Sequence, residues 1–316
     1  MGILDATATG ALVKINIDGK PLEKLIEVVS NGIGTLYRPR KIRKEAEAQA
    51  YAIKVLERAK AEAGTEALMI EAEAAERIIQ RLEGKEARRQ ENIDSVVEMA
   101  ANDLAKVDVS DDPVDEDWAT RFFGIVQDVS KEEMKTIWAK ILAKEIERPS
   151  SFSMRTLEVL RNISYEEAAL FAKMSQFVFV KDEMSFIFKD GNKYGLNYFN
   201  LSKLREAGLL QTGEGVTYTI KASEANSRIR HRYVCGNKYI ELTTEQDTKD
   251  VVVPVCLLSQ AGCELYELTD HKDNMGYLKD FAAFVRKTNP TASIKYGDVL
   301  ERKGHQTKYK LPLIEL

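Results

Sequence analysis

Arg38-Pro-Arg-Lys-Ile-Arg-Lys-Glu-Ala-Glu-Ala-Gln-Ala-Tyr-Ala-Ile53 opens a run that continues to Lys106 without another proline and is dominated by Ala, Glu, Lys and Arg. As one helix, about seventy residues at about 1.5 Å each would reach roughly 100 Å, more than a single small core can use. The run therefore reads as a helical arm or coiled coil. Ile42, Ala46, Ile53, Leu56, Ala63, Ala67, Ile70 and Ala74 fall on the three-and-four spacing of a coiled-coil or hairpin seam, interrupted by Gln49 and Lys60. Beyond Ala74 the stripe drifts through Ile78, Leu82, Ile93, Val96 or Val97, Ala100 and Leu104, and Arg89 falls on it. Gly64 and Gly84 each cost about 1 kcal/mol relative to Ala inside a helix, so they mark places for a bend, with Thr65 placed to cap a second helix. Three packings stay open: a hairpin on its own domain, association between arms of several subunits, and a charged linker. The sustained apolar spacing argues against the linker. For self-association the seam residues are Ile42, Ile53, Leu56, Ala63, Ala67 and Ile70.

N-terminal to the arm, Leu12, Val13, Ile15 and Ile17 form a strand-like alternation ending at the turn Asp18-Gly19-Lys20-Pro21. Leu22, Leu25, Ile26, Val29, Ile33 and Leu36 then line one face of a short amphipathic helix whose end Gly32 and Gly34 loosen. The basic cluster Arg38, Arg40, Lys41, Arg43 and Lys44 follows at once. An apolar face beside a basic cluster suits an anionic bilayer surface, each cation adding about 1 kcal/mol near it. The competing reading is a helix packed on its own domain with a solvated basic start.

Composition narrows the partners. With 46 basic and 50 acidic residues, a formal charge of −4 gives no general affinity for polyanions, so nucleic acid is an unlikely partner and any anionic contact is local. Cys235, Cys256 and Cys263 lack the spacing of a disulfide framework or zinc site and read as reduced cysteines of a cytoplasmic protein. Gly2 to Ile17 contains Asp5 and Lys14 and does not read as a signal peptide, and Ala6 stands where a myristoylation site needs Ser or Thr. The longest apolar run, Val251 to Leu258, falls short of a membrane span. A soluble chain, recruited at most to the inner-membrane surface, is expected.

After the arm, Asp108, Asp111, Asp112, Asp115, Glu116 and Asp117 read as a linker with helix-capping aspartates, because the calcium-loop pattern is absent. Trp118, Phe122, Ile125 and Val126, then Met134, Ile137, Trp138, Ile141 and Leu142, define two buried helix faces. Ser153 is placed to cap a helix over 154–162, and Ser164 with Glu167 forms a capping box for a helix from Tyr165 to Met174.

These stretches also carry a resemblance. Met134 to Leu160, with its core Trp138-Ala-Lys-Ile-Leu-Ala-Lys-Glu-Ile146, continues into Ile163-Ser-Tyr-Glu-Glu-Ala-Ala-Leu-Phe171. Together with Leu25 to Pro39 they resemble an uncharacterised bacterial family, itself distantly similar to the Abi-alpha abortive-infection proteins. The likeness spans roughly residues 20 to 220 and implies a soluble helical protein of phage defence. It implies no catalytic residues.

Residues 175–222 read as a winged-helix-like module: strands at 177–180 and 185–188, a recognition-type helix at 201–210, and a wing at 216–220. Lys203, Arg205 and Glu206 are a poor endowment for reading a DNA groove. Further strands at 239–243, 250–254 and 308–314, with helices at 259–266 and 277–286, make a small α+β domain. Arg228, Arg230 and Arg232 alternate, so on a strand they share one face, either solvated or docking an acidic partner. His231, His271 and His305 lack metal-ligand spacing, and no phosphate-binding loop occurs.

The sequence thus predicts a mainly α chain with an α+β C-terminal part. Its divisions are an N-terminal amphipathic segment (1–37), arm (38–107), helical domain (118–174), winged-helix-like module (175–222) and α+β domain (223–316). The expected function is that of a non-enzymatic, cofactor-free anti-phage protein that senses a phage protein partner, oligomerises through its arm and acts at the inner membrane. The alternatives are a DNA-associated regulator and a scaffold.

Overall fold

The computed structural model describes residues 19–36, 54, 66–105, 107–182, 184–189, 191–213, 215–223, 229–245, 248–303 and 306–316, with backbone alone for 35, 36, 66–72, 303 and 306. The chain divides into two compact units after Leu157.

The first unit is helical. α1 (Lys20–Leu36), α2 (Glu66–Leu104), α3 (Glu116–Val126) and α4 (Glu132–Glu147) pack so that α1 lies mainly on α3 and α2 on α4. α3 starts where Asp115 Oδ1 accepts the Trp118 amide at 2.8 Å, the capping role the acidic loop was expected to play. Its apolar face supplies Trp118 and Phe122, stacked with ring centroids 5.1 Å apart, and Phe122 meets Trp138 of α4 edge-on at 5.5 Å. Each such buried ring contributes about 1.5–3 kcal/mol through area removed from water. Trp118 Nε1 donates to the Phe152 carbonyl at 2.8 Å, so burying the indole leaves no orphaned donor.

α2 runs without a break through Gly84, where a bend was expected; a Cβ there would meet nothing within 4 Å. At about 1.5 Å per residue it is about 58 Å long. Its two ends behave differently. Ile93, Val96, Val97, Ala100, Ala101 and Leu104 are buried core of the helical unit, whereas Ile78 is 42% exposed. The expected arm, 38–107, is therefore too long at its C-terminal end. The reason is side-chain size: paired valines beside Ile93 and Leu104 make a stripe wide enough to bury in a core.

The second unit contains α5 (Met154–Asn162) only in part, since the division falls inside that helix; α6 (Tyr165–Met174), α7 (Tyr198–Glu206), α8 (Gln260–Tyr266) and α9 (Met275–Thr288) follow. The capping box of Ser164 and Glu167 is present at the start of α6. The strands are β1 (Val178–Lys181), β2 (Met184–Phe188), β3 (Thr217–Ile220), β4 (Arg230–Cys235), β5 (Lys238–Thr243), β6 (Val251–Leu257), β7 (Ser293–Lys303), β8 (Gln306–Tyr309) and β9 (Ile314–Glu315). All nine form one antiparallel sheet in the order β3-β6-β2-β1-β4-β5-β7-β8, with β9 also on β7. Phe281 of α9 covers one face, packing on Phe179 at 4.6 Å and Phe188 at 5.4 Å, and the Tyr277 hydroxyl donates to the Phe188 carbonyl at 2.9 Å.

This sheet changes the expected division of the C-terminal half. The strand expected as a wing pairs with β6, and the hairpin of β1 and β2 lies between β6 and β4. A boundary at residue 222 would cut the ladder, so 175–222 and 223–316 share one sheet. The architecture is mixed, helical first and then dominated by a large antiparallel sheet. Among the described residues no helix is long and apolar enough to cross a membrane.

Candidate anion-binding cleft

β4 alternates as a half-buried strand does: Arg230 and Arg232 are exposed, His231 and Tyr233 buried. On one side it pairs with β5 along its full length, placing Arg232 opposite Glu241 and Val234 opposite Tyr239. On the other side it meets β1 only at Phe179–Cys235 and Val180–Val234. Past that point β1 turns into β2 through Asp182, whose φ of 51° is left-handed, and the strands part. The parting opens a cleft of about 420 Å³ floored by Val180 and Val234 and flanked by Lys181, Asp182 and Arg232.

The β7–β8 hairpin supplies the opposite wall. Its register shifts between Val299 and Glu301, and this irregularity precedes Arg302, which pairs with Thr307. Arg302, Thr307 and Tyr309 all line the cleft. Tyr309 stacks on Tyr239 with centroids 3.7 Å apart and rings 4° from parallel; Tyr239 is buried behind it while Tyr309 remains half-buried.

Charge is unevenly satisfied. Lys181 Nζ hydrogen-bonds the Tyr218 hydroxyl at 2.7 Å and lies 5.4 and 5.9 Å from the ring centroids of Tyr218 and Tyr233. Among the described residues neither Lys181 nor Arg232 has a carboxylate within ion-pair distance, and Arg302 has one contact, 3.5 Å to Glu267. Among the described residues Asp182, exposed, is the one carboxylate on the lining. Burial pushes the Tyr233 and Tyr239 phenols above their ordinary range, so both stay protonated. His231 Nε2 lies 2.8 Å from the Lys221 carbonyl, and burial, aided by the charge of Lys181, holds its pKa below 6.5. The imidazole is therefore neutral, with Nε2–H donating to that carbonyl, and adds no charge to the cleft.

Of the residues singled out from sequence for partner binding, only Arg232 lines this cleft; Arg230 shares its face, and Arg228 lies outside the described residues. Lys181, Arg302, Tyr239 and Tyr309 carry no linear signal, because four strands bring them together. The candidate membrane face is distributed differently from the expectation. Leu25 is fully buried against the helical unit, Leu22, Val29 and Ile33 are half-buried, and Ile26 is 37% exposed. Val28 and Gly32, outside the proposed stripe, are buried with Leu25, so α1 is docked and its inner face is rotated from the one expected. The Leu36 side chain and Arg38, Arg40, Lys41, Arg43 and Lys44 lie outside the described residues. So do Ile42, Ile53, Leu56 and Ala63 of the candidate seam; Ala67 and Ile70 belong to α2, where their backbone alone is described.

Comparison with known sequences and structures places the chain coarsely. No curated protein and no solved structure matches it. Residues 76–282 match the family described as protein of unknown function (DUF2806), a span covering more than half of the chain and including Lys181, Arg232 and Tyr239. The chain therefore belongs to the DUF2806 family.

Proposed function

We propose that this chain is a non-enzymatic recognition protein of phage defence, in which the sheet unit captures an anionic partner and the helical unit delivers the response. The observation that carries the reading is the cleft, where Arg232, without an ion pair among the described residues, and Arg302 stand beside a stacked tyrosine pair. An exposed guanidinium beside apolar walls offers an anion a charge-assisted contact. The defence context comes from the resemblance of the Trp138–Ile146 and Ile163–Phe171 stretches to an uncharacterised bacterial family that is itself distantly similar to the Abi-alpha abortive-infection proteins. The response follows the order apolar helix, basic cluster, long helix: weak membrane contacts become effective when several copies are held together through the arm. Because Leu25 and Val28 are buried in the helical unit, α1 acts on a membrane only after leaving α3.

DNA regulation through a winged helix has less support. Lys203 is 3.4 Å from Glu166, and Arg205 Nη2 is turned toward Cys256 Sγ at 3.5 Å, so the basic side chains of α7 are already engaged. Plaque counts on bacteria expressing the wild type, Arg232→Glu or Ile26→Asp test the main reading. The wild type should lower the count and both folded variants should restore it. Equal counts for wild type and empty vector would remove the defence role, and full protection by Arg232→Glu would remove the cleft from it.

A further inference from the structure

We infer that the cleft between β1, β4 and the β7–β8 hairpin is a binding site for a nucleoside phosphate, phosphate on Arg232 and base against Tyr309. The assignment rests on the cleft being the recognition site proposed above, and it specifies the chemistry of what is recognised. Size is the first argument. About 420 Å³ lies within the range of small-molecule sites, whereas a protein partner needs a broad patch in place of a cleft.

The arrangement of groups is the second. A guanidinium offers a planar fork that matches phosphate oxygens. Arg232 is exposed and has no ion pair among the described residues, and the Arg302 guanidinium lines the same cleft. Tyr309, backed by Tyr239 at 3.7 Å in a nearly parallel stack, is a rigid aromatic wall; such a platform accepts a base by its π face.

The third argument concerns the minority groups. Asp182 and the Thr307 hydroxyl also line the cleft. A carboxylate works against a ligand that is anionic throughout, such as a run of acidic side chains. It suits one that is anionic at one end and offers hydroxyl or amino donors at the other, as a nucleoside phosphate does.

Isothermal titration of the full-length protein at low salt with ATP, GTP, AMP, pyrophosphate and a poly-glutamate peptide tests this. At least one nucleoside phosphate should bind. Arg232→Gln should weaken it by about tenfold or more, as loss of a charge-assisted pair does. Tyr309→Leu should weaken the nucleoside phosphates and leave pyrophosphate unchanged. Arg232 is exposed, so Arg232→Gln tests the site even if Tyr309→Leu fails to fold; melting curves check both. Absence of heat with every nucleotide, or identical affinities in Arg232→Gln, overturns the inference. Poly-glutamate binding that requires Arg232, with no nucleotide binding, overturns it while leaving the anion-recognition reading standing. No Arg232-dependent binding of any probe removes both.

Discussion

Gly32 has room for a hydrogen and nothing larger. A Cβ there would lie 2.3 Å from Phe123 Cδ2 and 2.9 Å from the Ala119 carbonyl oxygen. In the sequence it reads as a residue that loosens a helix end, because nothing local tells what stands opposite; in the fold it permits the close approach of α1 to α3. Gly32→Ala should cost about 1–3 kcal/mol, as overpacking does, and a urea midpoint unchanged from the wild type would contradict that role. Glu145 was equally silent in the sequence. It is buried, Oε1 accepting from the Ser150 amide at 2.7 Å and Oε2 from the Phe152 amide at 3.0 Å. Glu145→Ala should destabilise by about 2 kcal/mol or more by leaving buried amides unpaired, and Glu145→Gln, which keeps one acceptor, by less. His231 gives a pH signature. Its folded pKa lies below 6.5, so below that pH the unfolded chain takes up a proton that the folded chain resists. Stability should fall as pH drops from about 6.5 toward the folded value, and His231→Gln, which keeps a donor for Lys221, should flatten that slope in urea titrations at pH 7.5 and 5.5.

Two helices carry the questions that belong to elements. In α1, Leu25 is fully buried and Ile26 is 37% exposed, so neighbouring positions separate folding from surface function. Leu25→Asp should unfold or loosen the helical unit, whereas Ile26→Asp should melt like the wild type and lose any liposome association that the wild type has. Association retained by folded Ile26→Asp would exclude its outer face from membrane contact. In α2 the apolar stripe continues past the core to Ile78, which is 42% exposed. If that stripe is a seam between copies, Ile78→Asp lowers the sedimenting mass with no change in melting temperature; unchanged mass would take this part of α2 out of assembly. Capped helices were the most legible elements: Ser153, Ser164 and Asp115 announce the starts of α5, α6 and α3 by local hydrogen bonding that needs no tertiary context. β7 was the least legible. Gly297 interrupts it where Lys310 O would lie 2.7 Å from a Cβ, and the register shift after Val299 breaks the two-residue period by which strands are recognised.

At the scale of the molecule, the helical unit and the sheet unit differ in how their chemistry is encoded. The helical unit is built from neighbours in sequence, and its core faces were visible as periodic stripes. The sheet unit closes through long-range pairs such as β1 with β4 and β5 with β7, and the cleft exists because one of these ladders stops after two pairs. A test at this scale is salt. If the cleft captures anions through Arg232, binding should weaken as ionic strength rises, and Arg232→Gln should reduce that dependence. Salt-independent binding would place the interaction elsewhere.

By itself the sequence determined the helix starts, the two aromatic helix faces around Trp118 and Trp138, and the alternation that puts Arg230 and Arg232 on one face of a strand. These follow from caps and periodicities that act within a few residues. Only the tertiary structure decided that α1 turns Leu25, Val28 and Gly32 inward, that the end of α2 is core, and that Lys181, Arg232, Arg302 and Tyr309 share a cleft. Those outcomes depend on which surfaces meet across tens of residues, and neither periodicity nor local hydrogen bonding carries that information.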